Sequence, residues 1–150
     1  EGNTLVLFNY IEKHGTPLYD LINNNVDDAR KVFFVHGGTE VEDREEVRKI
    51  TETESNAVIV ASYGTFSTGI NIKRLHNIIF ASPSKSRIRN LQSIGRVLRK
   101  GEGKDIATLY DIADDIGGQN YTLKHLNERV NIYNDENFRY EVIKVNLRAN

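Results

Sequence analysis

Residues 92–100, QSIGRVLRK, set two arginines three positions apart behind a glycine, with a glutamine one turn earlier. At about 100° per residue on a helix, Gln92, Arg96 and Arg99 fall at i, i+4 and i+7, within about 60° of one another. They form a polar strip beside the apolar stripe of Ile88, Leu91, Ile94 and Leu98. A guanidinium keeps its charge and meets phosphate oxygens with two parallel hydrogen bonds, so two on one face suit a triphosphate. The same residues also fit a solvated basic helix face. Gly95 costs such a helix roughly 1 kcal/mol relative to alanine, which points to close packing or to the approach of another surface.

A second group of candidates lies where apolar runs end. The segments HGGT (36–39) and ASYGTFSTGIN (61–71) are small, polar and glycine-rich, with little bulk to keep a phosphate from the backbone. Amides and hydroxyls of His36, Gly37, Gly38, Thr39, Ser62, Tyr63 and Thr65 can hold phosphates there without reading bases. Lys85, Arg87 and Arg89 would extend the path. HGGT alone also fits a tight turn that uses glycine for a positive φ. His14, His36, His76 and His125 show no metal-ligand spacing, so no metal is expected in this chain.

These residues must be positioned by the elements around them. Five runs rich in β-branched and aromatic residues recur: TLVLF from 4, KVFFVHGG from 31, NAVIVAS from 56, NIIFAS from 77 and DIATLYDIAD from 105. Being apolar throughout, and spaced with room for a helix between them, they predict an α/β fold around a parallel sheet covered on both faces. Helices are expected after Asp43 (Val47, Ile50), after Ser84, and from about Thr122 to Tyr133. The tail from Phe138 to Leu147 alternates imperfectly and predicts an edge strand. In open parallel sheets ligands gather beyond the carboxyl ends of the strands, where the small polar segments fall.

The chain has 150 residues, the size of one domain, with 20 basic and 21 acidic side chains and a formal net charge of -1. The total therefore selects no nucleic-acid or membrane partner, but the distribution is uneven. From Lys73 to Lys104 nine residues are basic (Lys73, Arg74, Lys85, Arg87, Arg89, Arg96, Arg99, Lys100, Lys104) against Glu102 alone. From Glu40 to Glu54 seven acids face Arg44, Arg48 and Lys49, with Glu45 and Lys49 spaced as a helical ion pair. Without cysteine there is no disulfide framework, and no apolar run approaches the roughly 18 residues of a membrane span, which fits a cytosolic protein. An apolar strand close behind Glu1 and the absence of methionine suggest a piece of a longer chain.

A Walker A loop, G-x-x-x-x-G-K-[ST], is missing; the sole Gly-Lys pair, Gly103-Lys104, is followed by Asp105. DENF at 135–138 mimics a DExx box but follows a helix, so a turn is expected there. Asp111 ends a strand and is expected to cap or hydrogen-bond.

The pattern Q-x-x-G-R-x-x-R resembles motif VI of superfamily 2 helicases and translocases. STGIN at 67–71 resembles motif V of that family, VLFNYIEKHGTPLYDLI from Val6 resembles motif IV with its helix, and VHGGTEVEDREEVRKI and LKHLNERVNIYNDENF resemble later segments of the same domain. The resemblance covers nearly all of residues 1–150 in order, and it implies the second RecA-like domain of a helicase, with a three-layer fold. It implies that Arg96 and Arg99 act as arginine fingers, and that Gly69, Asn71 and Gln92 also border the nucleotide. ATP and Mg2+ would be held mainly by an N-terminal RecA-like domain of the same chain, so the fragment alone would be inactive. The implied partner is DNA, branched or single-stranded, with an RNA–DNA hybrid as an alternative, and no membrane. Asn71 stands where the family usually has aspartate, Tyr63 where threonine is common, and Val97 and Leu98 separate the two arginines. A restriction or repair translocase motor and a non-catalytic nucleic-acid-binding or annealing module are the alternatives.

Overall fold

A computed structural model of the chain describes residues 2–67, 74–81, 107–117 and 121–147. Each of the five apolar runs contains a strand: β1 (Asn3–Phe8), β2 (Val32–Val35), β3 (Val58–Ser62), β4 (Leu75–Phe80) and β5 (Thr108–Asp111). They join in one sheet in the order β2-β3-β1-β4-β5, and every pairing is parallel. Leu5 lies between Ile59 and Ile78, and Val6 between Val60 and Ile79.

Alternation of side chains along each strand divides the core in two. Leu5, Leu7, Val35, Ile59, Ala61, Ile78 and Phe80 fill one face, and Val6, Phe8, Val58 and Val60 fill the other. Helix α1 (Thr16–Asn25) lays Leu18, Tyr19 and Ile22 on the second face. Helix α2 (Val41–Thr53) sends Val47 to the first face, which the last helix, α4 (Tyr121–Asp135), covers with Val130, Ile132 and Tyr133. A short helix, α3 (Tyr63–Ser67), follows β3 directly. Burying each of Leu5, Leu7, Ile59 and Ile78, all at 0% exposure, contributes about 1.5–3 kcal/mol. The helix expected after Ser84 lies outside the described residues.

Between β1 and α1 the chain makes a π-helical turn, Ile11–Gly15, in which the amides of His14 and Gly15 both donate to the Tyr10 carbonyl at 2.9 and 3.0 Å. On α2, Arg48 takes Glu45 at 2.9 Å and Glu52 at 2.6 Å, so Glu45 pairs with Arg48 in place of the expected Lys49. On this solvated helix face such pairs add little to stability.

One feature departs from the sequence pattern. The segment 138–147 forms no strand: Val142, Ile143, Val145 and Leu147 are exposed. Phe138 and Tyr140 do share a face, but their rings lie 6.3 and 6.2 Å from that of Tyr133, so the tail is anchored to α4 and not to a sheet edge. DENF is the turn expected after that helix: Asp135 is its last residue, and the chain turns at Glu136 and Asn137. Asn137 takes φ 56°, its amide donates to Asn134 O at 3.1 Å, and the Phe138 amide donates to Tyr133 O at 2.9 Å. These two bonds and the Phe138–Tyr133 contact make a Schellman stop with asparagine in the left-handed position.

Asn3, fully buried, joins three elements. Its Nδ2 donates to the carbonyls of Thr51 and Glu54, each at 2.9 Å, satisfying the carboxyl end of α2, while its Oδ1 accepts the Ala57 amide at 2.9 Å. Replacing it by alanine leaves two carbonyls and one amide without this partner. Asn3→Ala is therefore expected to cost about 2–4 kcal/mol in denaturant unfolding, well above the loss from an exposed asparagine such as Asn24.

Candidate nucleic-acid interface

The chain runs from β1 out to β2, returns through β3, and then passes β1 to reach β4 and β5, so the strand order reverses about β1. Ligands of open parallel sheets collect beyond the carboxyl ends at such a point. The register brings these ends into line, with Val35 of β2 beside Ala61 of β3 and Phe8 of β1 beside Ser62.

The turn at 36–39 is braced from within. The Thr39 amide donates to the His36 carbonyl, the His36 amide to Thr39 Oγ1 and the Gly38 amide to His36 Nδ1, each at 3.0 Å. Because Nδ1 accepts, the neutral imidazole carries its proton on Nε2. Arg44 of α2 donates from Nε to Thr39 O at 2.8 Å and from Nη2 to Gly37 O at 3.3 Å. Three of the four amides proposed for phosphate are thus engaged inside the turn, and the Gly37 amide is not among them. Neither glycine has a positive φ. Gly38 is favoured by proximity instead: a β-carbon there would lie 3.0 Å from Cε1 of His36, so the imidazole would have to give by a few tenths of an ångström, whereas one on Gly37 meets nothing within 4 Å.

At the end of β3, Ser62 Oγ accepts the Thr65 amide at 3.3 Å and shares a hydrogen bond of 2.7 Å with Thr65 Oγ1, which caps α3. Both hydroxyls are buried. Tyr63 is 2% exposed, and its ring sits 5.7 Å from Phe80 in the core, so at this position the surface offers backbone and not a side chain. Gly69, Asn71, Lys85, Arg87, Arg89, Gln92, Arg96 and Arg99 lie outside the described residues.

Sequence patterns did not bring out the polar group at the end of β5. Arg129 of α4 clasps Asp111 with two bonds, Nε to Oδ2 at 2.7 Å and Nη2 to Oδ1 at 2.8 Å, and the Tyr133 hydroxyl donates to Oδ2 at 2.5 Å. Arg129 is 2% exposed, and among the described residues its buried Nη1 has no hydrogen-bond partner. Burial, and then the Asp111 carboxylate, push the Tyr133 phenol well above its ordinary value. The signal was there to find, because Arg129 falls on the helix stripe of Leu126, Val130 and Tyr133. Asp111 is accordingly a structural acceptor.

The fold agrees with comparisons to known proteins. The profile of the helicase conserved C-terminal domain matches residues 1–101, and the chain belongs to this family. Over 160 aligned positions it is 41% identical to the ATP-dependent DNA helicase uvsW of Enterobacteria phage T4, covering 98% of this chain and 31% of that protein. The chain therefore spans about a third of the length of that relative. The crystal structure of the C-terminal part of the Fun30 ATPase domain superposes with a TM-score of 0.55 at 18% identity, over 93% of this chain and 49% of that one, a likeness of fold.

Two outcomes follow from the geometry. Gly38→Ala should lower the melting temperature, because the His36 ring must yield, while Gly37→Ala should stay within about 0.5 kcal/mol of the parent. Since the folded state holds the Tyr133 proton more tightly than the unfolded chain, its contribution is complete below pH 10.0, the ordinary phenol value, and declines as pH rises above it. Unfolding free energies measured up to and beyond that pH should fall more steeply for the parent than for Tyr133→Phe.

Proposed function

We infer that the chain is the second motor domain of an ATP-dependent DNA helicase of superfamily 2 that remodels branched DNA, including recombination and replication intermediates. The observation carrying this reading is the 41% identity with the T4 helicase across 98% of the chain, with Q-x-x-G-R-x-x-R at 92–99 inside the aligned family domain. ATP supplies the driving reaction, phosphoryl transfer to water. The described carboxyl ends offer mainly backbone to a ligand, since the Ser62 and Thr65 hydroxyls and the Arg44 guanidinium bond within the protein and Asp111 is paired with Arg129, which supports a contact to phosphate oxygens. With no Walker A loop in this chain, ATP and Mg2+ belong mainly to an N-terminal RecA-like domain of the same protein.

In this reading Arg96 and Arg99 reach across the cleft to charge building on the transferred phosphoryl group, with Gln92, Gly69 and Asn71 bordering the nucleotide. Arginines in that role contribute about 10³–10⁵ in rate. The turn at His36, Gly37, Gly38 and Thr39, with Ser62, Tyr63 and Thr65, and the basic residues Lys85, Arg87 and Arg89, grips the nucleic-acid backbone. Closing and opening of the cleft then moves that grip relative to the one on the first domain. Among the described residues no helix is long and apolar enough to cross a membrane, and the phage origin of the relative suits a protein working in host cytoplasm.

The test is Arg99→Ala in the full-length protein. DNA-stimulated ATP hydrolysis should fall by about 10³ or more while DNA affinity stays within a few-fold. Hydrolysis at the parent rate would remove the arginine-finger assignment, and hydrolysis without strand separation by the parent would favour a translocase motor.

A further inference from the structure

Tyr10 stands two residues beyond β1, the strand about which the sheet order reverses, and it is 64% exposed. The backbone beneath it is fixed, because its carbonyl accepts the amides of both His14 and Gly15 in the π-helical turn. Such turns occur frequently at functional sites. The turn sits directly on the core: Gly15 is buried, and a β-carbon on it would lie 2.5 Å from the ring of Phe8. The His14 ring backs the tyrosine at 5.3 Å, and among the described residues its buried Nδ1 has no hydrogen-bond partner, so ring contact sets its place.

This platform is continuous with the turn at 36–39. Phe8 lies 5.7 Å from Phe34, and Phe34 lies 5.2 Å from His36, a line of rings along the face that α1 covers. Glu12 and Lys13 beside the platform are both exposed and of opposite sign, so charge does not choose an occupant. What remains is an exposed aromatic face on a rigid base. Tyrosine offers that contact at low conformational cost, and every nucleobase has a π-face to match it.

We propose that Tyr10, backed by His14, is a stacking platform for one unpaired base of a single strand whose phosphates cross the turn at His36–Thr39. This rests on the nucleic-acid reading above and adds to it a contact with a base. The experiment compares full-length parent, Tyr10→Leu and Tyr10→Phe by fluorescence anisotropy, using labelled oligothymidylate and an abasic oligomer of the same length. Tyr10→Leu should weaken oligothymidylate binding by about 5- to 100-fold, the range that losing one stacked base gives. The factor should be alike at low and high salt, because no phosphate contact is lost. Tyr10→Phe should bind as the parent does, and the abasic oligomer should bind all three proteins equally. Unchanged oligothymidylate affinity in Tyr10→Leu, or an equal loss on the abasic oligomer, overturns the platform alone. Failure of the parent to bind either oligomer overturns the nucleic-acid reading and the platform with it.

Discussion

β1 is buried on both faces, with Leu5, Leu7 and Phe8 at 0% exposure and Val6 at 2%. A strand in that position needs a helical layer above and below, and it needs neighbours on both edges to pair its amides and carbonyls. Connections that pass through helices return the chain to the same end, which makes the pairings parallel and puts all carboxyl ends at one edge. The alignment of Phe8 with Ser62 and of Val35 with Ala61 follows from this. The apolar character of one strand thus decides where the polar turns of the others gather.

Buried polar groups at both ends of the sheet hold elements in place without adding apolar contact. Asn3 ends α2 and starts β3 with one amide side chain, and Asp111 with Arg129 and Tyr133 fixes α4 to the end of β5. A buried ion pair gains little over an apolar substitute, but losing one partner strands a charge, at about 3–5 kcal/mol. Such groups therefore specify the docking of α2 and α4 more than they strengthen the core. Arg129 bonds Asp111 through Nε and Nη2, and among the described residues its Nη1 finds no partner.

Strands were legible because consecutive apolar residues leave few alternatives to a strand covered on both sides, and the helices near Val47 and Val130 were legible from their stripes. The resemblance in QSIGRVLRK and its neighbours led to the same family that the comparisons establish. The tail shows what periodicity leaves open. Alternation grouped Phe138, Tyr140 and Val142 on one face of a strand; Phe138 and Tyr140 do meet the ring of Tyr133, but Val142 is exposed and no strand forms, because a period of two does not say what a face meets. Gly38 shows the same limit at one residue: its composition suggested a left-handed turn, and the reason is the nearby imidazole of His36. Asn3 and Arg129 depend on partners 48 and 18 residues away, which no local pattern contains.

At the candidate interface, side chains that hydrogen-bond in isolation are largely committed to the protein itself. Ser62 and Thr65 satisfy each other, His36 and Thr39 close their own turn, and Arg44 neutralises its carbonyls. Each commitment removes a donor from any ligand but also removes a way for the loop to deform, so the backbone that stays exposed is held in one shape. On the proposed reading, a surface built like this would follow a phosphate chain by form and not by chemical discrimination, which suits a grip that must release and take hold again at any sequence. The proposed platform at Tyr10 would extend the same logic from phosphates to bases, since a π-face accepts any base and names none of them.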